Sequence, residues 1–239
     1  MKRQILVIVP AYNEAANIRA TLEDIARAGL PLDIAVVNDG STDQTSAIAR
    51  QARNVTVIDL PINVGIGAAV QTGILYAARN GYDLAVQFDG DGQHRGCEIP
   101  ALIAPVLDGR GDVAIGSRFL SKSGGFKSTF ARRLGIRIFE LVNLLLTGRR
   151  ITDSTSGFRA YNTEALLFLT DHYPSDFPEP EAVVLLAKNG FRIVEVPAEM
   201  RERQGGISSI GGMTSLYYMI KVLVAICVTA ARVPVRRAP

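Results

Sequence analysis

Cysteine is scarce in this chain: Cys97 and Cys227 are the two in 239 residues. They lie too far apart for a metal motif or a disulfide framework, which favours a reducing compartment and leaves both as expected packing residues. Long apolar runs are scarce too. Met1 to Pro10 has a basic front and a short apolar stretch before Asn13 and Glu14, too short for a secretory signal and better read as a first buried strand. Leu216 to Ala231 is interrupted by Lys221, leaving ten uncharged residues where a bilayer span needs about 20. Acid is missing from one region. Residues 118–150 hold Arg118, Lys122, Lys127, Arg132, Arg133, Arg137, Arg149 and Arg150 against Glu140 alone, although the whole chain carries only +3. No recognised nucleic-acid motif accompanies that patch, which argues against such a partner. Interleaved with Phe119, Phe126, Phe130 and Leu144 to Leu146, it suits a membrane surface or anionic partner, or else the solvated face of a core helix.

With 48% hydrophobic and 21% charged residues, the chain is long enough for one sizeable α/β domain. Short β-branched or aliphatic runs, each closed by Pro, Asn, Asp or Gly, predict strands at Ile5 to Val9, Ile34 to Val37, Val55 to Leu60, Leu84 to Phe88 and Val113 to Gly116. Between them, helical spacing appears over Asn17 to Ala28, Gln44 to Ala52 and Gly67 to Asn80; Ser41, Thr42 or Asp43 can cap the second, and Gly81 follows the third. Repeated βα units predict a mostly parallel, Rossmann-like sheet flanked by helices, with ligands at the carboxyl ends of the strands. Two units are expected: the domain at 1–212, and an apolar helix with a basic tail at 213–239 that lies at the membrane interface or makes an oligomer contact.

Three polar segments follow predicted strands: Pro10 to Glu14, Val37 to Asp43, and Asp89-Gly-Asp-Gly-Gln-His94. Asp89 and Asp91, at i and i+2 of a strand end, are expected on one face, where they suit a hard divalent cation bridged to a phosphorylated ligand. The same residues also read as an ordinary turn. Their order changes the weighing. Pro10 to Glu14, Val37 to Asp43, Asn63-x-Gly65 with Gly73, Asp89-x-Asp91, Gly116-Ser-Arg-Phe119 and Asp153-Ser-Thr-Ser-Gly-Phe-Arg159 together resemble the inverting family 2 glycosyltransferases of GT-A fold. The last two, with Glu195-Val-Pro197 and Arg203-x-x-Gly206-x-Ser208, resemble the branch that acts on dolichyl or polyprenyl phosphate.

The resemblance implies a nucleotide-sugar donor held by Pro10, Ala11, Tyr12, Glu14, Asp39, Gly67, Asp89, Gly90 and Arg203. It implies Mg2+ or Mn2+ on Asp89, Asp91 and Gln93, with Asp91, Asp153 and Arg118 as catalytic residues. Arg118 and Arg203 would contact phosphate, guanidinium being suited to bidentate oxygen recognition. The acceptor decides the rest. A polyprenyl phosphate is already anionic near neutrality and needs no base, whereas a saccharide hydroxyl needs a carboxylate, for which Asp153, Glu179 and Glu181 are candidates. Asp153 is the first choice, as base or as orienting acceptor; Glu179-Pro-Glu181 reads equally as an exposed helix start. His94 is either an acceptor contact or a structural histidine. Ser209 stands where the branch often has lysine, and Arg95-Gly-Cys97 replaces a common proline start; both bear on the acceptor. The expected setting is cytoplasmic and peripheral at the inner face of the membrane, with a homo-oligomer or a membrane protein as possible partners. A noncatalytic nucleotide-sugar binder and a phosphatase using Asp89 as nucleophile are the alternatives of another class.

Overall fold

The computed structural model describes residues 3–120, 140–174, 176–201 and 213–232, with side chains undescribed at 213–220. Seven strands make one sheet in the order β3-β2-β1-β4-β6-β5-β7. They are β1 (Ile5–Ala11), β2 (Asp33–Asn38), β3 (Val55–Asp59), β4 (Leu84–Gln87), β5 (Val113–Ser117), β6 (Arg159–Asn162) and β7 (Ile193–Pro197). β1 pairs in parallel with β2 and β4, β2 with β3, and β5 with β7. β6 alone runs antiparallel, to both β4 and β5. The helices are α1 (Ile18–Ala26), α2 (Thr45–Ala49), α3 (Ile66–Arg79), α4 (Ile99–Leu107), α5 (140–147), α6 (Thr163–His172), α7 (Pro178–Lys188) and α8 (Met213–Ala231).

Strand alternation assigns the two faces. Ile5, Val7 and Val9 of β1 point toward Ile18, Leu22 and Ile25 of α1 and toward Leu102 and Val106 of α4. Leu6 and Ile8 point the other way, toward Val70, Ile74 and Ala77 of α3 and Leu166 and Leu169 of α6. Both faces are therefore covered, which explains why the parallel strands read as continuous apolar runs rather than alternating ones. The expected mostly parallel sheet is present, and the five expected strands fall within one or two residues of those observed. Helix ends were less legible: α2 is shorter than Gln44 to Ala52 and is entered through Asp43, whose Oδ1 accepts from the Thr45 N–H at 2.9 Å.

α8 docks on the domain. Val222, Ile226 and Ala230 recur at helical spacing and pack with Val184 of α7 and with Val142 and Leu146 of α5. Polar clasps reinforce this: Thr229 Oγ1 donates to Glu181 Oε2 at 2.8 Å, and Lys188 Nζ donates to the Ala230 carbonyl. Among the described residues no helix is long and apolar enough to cross a membrane. Two expectations are corrected. Cys97 and Cys227 are exposed rather than packed. Glu179 and Glu181 do start a helix, but its first turn is not exposed, because Glu181 is buried between Phe177 N–H and Thr229. Much of the basic segment at 118–150, along with Arg203, Gly205, Gly206, Ser208, Ser209, Arg236 and Arg237, lies outside the described residues.

Candidate active site

The carboxyl ends of β1 to β4, with the segment leading into β6, enclose a cavity of about 480 Å3. One wall is built from Pro10, Ala11, Tyr12, Glu14, Asp39, Asn63, Gly65, Ile66 and Ala69; the other end holds Asp89, Gly90, Asp91, Thr155, Gly157 and Glu179. The first wall is sewn from three loops. Asn13, at φ 54, donates its N–H to Ser41 Oγ at 2.9 Å, and its side chain accepts from Thr42 N–H at 2.9 Å. A small polar side chain that bonds locally tolerates this left-handed geometry. The Glu14 N–H donates to Thr45 Oγ1 at 2.8 Å, while its carboxylate accepts from Asn17 Nδ2 at 2.7 Å. Asp39 accepts the N–H groups of Val64 at 2.8 Å and Gly65 at 2.9 Å. Gly40, at φ +63, lies so close to that loop that a Cβ would stand 2.5 Å from the Asn63 nitrogen. Asp39 thus lines the cavity and also holds its wall in place. Tyr12 stands 46% exposed beside it, leaving an aromatic face open to a flat ligand.

Asp89 and Asp91 meet at the cavity, but not by the expected route. β4 ends at Gln87, so the two carboxylates lie in the following turn rather than on one strand face. That turn is fixed by Gly90 N–H donating to the Pro10 carbonyl at 3.3 Å and by Gln93 N–H donating to Asp91 Oδ1 at 3.0 Å. Asp89 rests against Gly157: a Cβ there would lie 2.5 Å from Asp89 Oδ2. His94, buried and stacked on Phe158 at 5.0 Å, contacts the same oxygen at 3.3 Å. Burial opposes the charge on Asp89, but His94, Arg118 and Arg159 together hold its carboxyl below the usual range. Asp89 is therefore an anion at neutral pH, backed by cations and open toward the cavity.

The donor set fits a hard cation of the Mg2+ or Mn2+ kind, which takes one or two carboxylates and fills its remaining positions with water and phosphate oxygens. Among the described residues no three His, Cys, Asp or Glu form a protein cage for a metal. Gln93 does not line the cavity; its carbonyl accepts from Arg201 N–H at 2.8 Å. Gly67 is buried in the first turn of α3, and Gly65 and Ile66 take the place expected for it.

Arg118 and Asp153 meet each other rather than the cavity. Arg118 Nε and Nη2 donate to the two Asp153 oxygens at 2.7 Å each, its backbone N–H adds a bond at 3.1 Å, and Nη2 also reaches Thr155 Oγ1 at 2.7 Å. The Asp153 side chain is fully buried. Burial raises its carboxyl and Arg118 more than offsets that, leaving it below the usual range. A carboxylate so occupied is a poor general base. Arg118 orients Thr155, which lines the cavity, instead of standing as a free phosphate contact. Glu195 secures this arrangement: it accepts from Thr152 N–H at 2.8 Å, Thr152 Oγ1 at 2.9 Å and Asp153 N–H at 2.9 Å. Arg159, 1% exposed, donates to the carbonyls of Ser154, Ser156 and Glu179 at 2.7 to 2.8 Å.

The model of glycosyl transferase family 2 matches residues 6–168. The chain belongs to this family. It is 34% identical over 230 residues to the polyprenol monophosphomannose synthase of Mycolicibacterium smegmatis, covering 92% of this chain and 86% of that one. It is 30% identical over 211 residues to the UDP-N-acetylglucosamine–dolichyl-phosphate N-acetylglucosaminyltransferase of Methanococcus voltae, covering 81% and 84%. Among solved structures it resembles the glucosyl-3-phosphoglycerate synthase of Mycobacterium tuberculosis in complex with Mn2+, UDP and phosphoglyceric acid. There the TM-score is 0.68 at 21% identity, over 96% of this chain and 79% of that one, a likeness of fold. The chain is thus a glycosyltransferase of GT-A fold. Within it, family motifs separated in sequence converge: Gly157 makes room for Asp89, and Glu195 holds the loop that carries Asp153.

Proposed function

We propose that this glycosyltransferase moves a sugar from a nucleotide-sugar donor to a polyprenyl phosphate, with inversion at the anomeric carbon, at the inner surface of a membrane. The observation that carries the reading is one cavity in which a wall suited to a nucleoside meets two aspartates suited to a diphosphate-bound cation. The names printed for the Mycolicibacterium and Methanococcus relatives support a lipid phosphate as acceptor. In this reading Tyr12 and the Asn63 to Ile66 loop receive the base, and Asp39 keeps that loop in register. Asp89 and Asp91 would hold the ion, which when bound neutralises charge on the departing nucleoside diphosphate. Arg118, through Asp153 and Thr155, fixes the edge of the cavity where the acceptor oxygen approaches. A phosphate acceptor, with a second pKa of about 6, attacks as an anion. The commitment of Asp153 to Arg118 is consistent with a reaction that needs no base there.

The deciding experiment measures transfer from a panel of donors to undecaprenyl phosphate in vesicles, with and without EDTA, and the anomeric configuration of the product. Metal-dependent transfer with inversion is expected; turnover untouched by EDTA would remove the metal role, and retained configuration the inversion. A saccharide hydroxyl acceptor is the second reading. It is favoured by Glu179, a cavity carboxyl that burial pushes above its usual range against the pull of Arg159. That route requires an essential base, and Glu179→Gln would abolish it.

A further inference from the structure

Beneath the far end of the cavity lies a polar cluster used by neither the nucleoside wall nor the two aspartates. Gln87 ends β4 and is fully buried; its Oε1 accepts from the Tyr161 hydroxyl at 3.4 Å, while its Nε2 meets no acceptor among the described residues. The buried Tyr173 hydroxyl, just past α6, is likewise unmatched. Buried donors without acceptors cost stability, so their retention calls for an explanation. Glu179 is the cavity carboxyl beside them: burial raises it, against the pull of Arg159 and, more weakly, of Gln87, and both tyrosines are raised by burial first and by Glu179 in addition.

Glu179 is also rigidly presented. It sits between buried Pro178 and Pro180 in the first turn of α7, and its carbonyl is gripped by Arg159 at 2.8 Å. Proline fixes φ, so two prolines around one residue leave its backbone little freedom. Strand order then gives its position along a bound donor. The nucleoside wall spans the ends of β3, β2 and β1, the aspartates follow β4, and Glu179 lies with Thr155 and Gly157 beside the start of β6. Adjacent strands lie about 4.8 Å apart, so the far end is about one strand spacing beyond the diphosphate, within reach of a hexose joined to its terminal phosphate.

We infer that Glu179, at the cavity end nearest Gln87, Tyr161 and Tyr173, accepts a hydrogen bond from a hydroxyl of the donor hexose and selects among donor sugars. This rests on the donor-site reading above. A buried group that bonds a particular hydroxyl penalises sugars that place it elsewhere, because the carboxyl is then left unmatched. Gln87 and Tyr173 are positioning residues, acting through Glu179.

The test compares the wild type with Glu179→Gln, Glu179→Ala and Tyr173→Phe. Competition binding with Mn2+ sets UDP- and GDP-linked glucose, galactose, mannose and N-acetylglucosamine against free UDP and GDP, so the readout does not depend on the acceptor. Transfer to undecaprenyl phosphate is followed in parallel. Glu179→Ala is expected to leave nucleoside diphosphate affinity within about twofold while reducing the preference for the best hexose over its epimer at least tenfold. Tyr173→Phe shifts the same ratio in the same direction by less, and Glu179→Gln keeps part of the preference. Unchanged hexose ratios in both Glu179 variants overturn the inference. So does loss of transfer from every sugar in Glu179→Gln with binding ratios intact, the signature of a base. If the wild type binds donors selectively but never transfers to lipid phosphate, the acceptor reading fails while the binding ratios still decide this one. Should Glu179→Ala not fold, the near-isosteric glutamine variant decides.

Discussion

Beside the cavity, Asp39 and Asp91 are held by backbone amides, Asp39 by those of Val64 and Gly65 and Asp91 by that of Gln93. Across the sheet, Asp153 and Asp112 are gripped by the guanidinium groups of Arg118 and Arg192, whose backbone N–H groups add a further bond to each. The contrast separates two uses of the same side chain. An amide orients a carboxylate without cancelling its charge, so the anion remains available to a cation or a donor. A guanidinium fork neutralises it and turns it into a strut. Asp39 and Asp91 should therefore govern ligand binding, and Asp153 and Asp112 stability.

The sharpest break of that contrast is Asp91→Ala. Losing an electrostatic contact of this kind is expected to lower transfer by about 10²- to 10³-fold, and to weaken Mn2+-dependent nucleotide binding while the urea midpoint barely moves. Calorimetric titration and turnover read both. Asp153→Ala should do the reverse, costing about 3 kcal/mol because one partner of a buried pair is left alone. Adding Arg118→Met should then recover much of the loss in a denaturation cycle; failure to recover would mean that Asp153 has a further partner. Gly157→Ala tests the seam between the two sides. Its methyl must displace the Asp89 carboxylate, at an overpacking cost of about 1–3 kcal/mol, and Mn2+ affinity should fall more than in any variant outside the cavity.

The pH response follows from the same pairs. The carboxyls of Asp89 and Asp153 lie below their usual range, so their stabilisation is complete above about pH 4 and lost as pH falls through their lowered folded values. Glu179 runs the opposite way: its raised value favours the protonated form, a contribution present at low pH and lost as pH rises past its unfolded value of about 4.3. Denaturation midpoints between pH 3 and 7 should show a shallower acid limb in Asp153→Ala, and Glu179→Gln should gain stability toward pH 7. The smallest effect is expected from Thr229→Val, which removes the bond to Glu181 for about 1 kcal/mol and leaves transfer unchanged.

What the sequence revealed tracks the same division. The parallel strands β1 to β5 were legible because each is a local apolar run closed by a turn residue, and the strand ends placed Glu14, Asp39 and the two aspartates in one crevice. β6 and β7 carry no such signal. Arg159 to Asn162 opens with a charged residue and is short, and its strand character comes from pairing with β4 and β5 rather than from its own pattern. The pairing of Asp153 with Arg118, across 35 residues, has no local signal, and neither has the grip of Glu195 on Thr152 across 43. Recognising both segments as motifs located the partners without revealing that they bind each other. Glu179 and Glu181 carry a usable clue, prolines flanking acids at a helix start, yet the burial of Glu181 against α8 has no local signal.

The single antiparallel strand has a consequence for how the chain comes into being. β1 to β4 are complete by Gln87, but the free edge of β4, Leu84-Ala85-Val86, finds its partner only when Arg159 to Asn162 has been made. During synthesis that interval leaves an apolar edge strand open to pairing with other chains, the situation from which aggregation starts. A nascent chain stalled before Arg159 should need a chaperone to remain monomeric, and the strand that supplies Arg159 to the site also closes the sheet against misassembly.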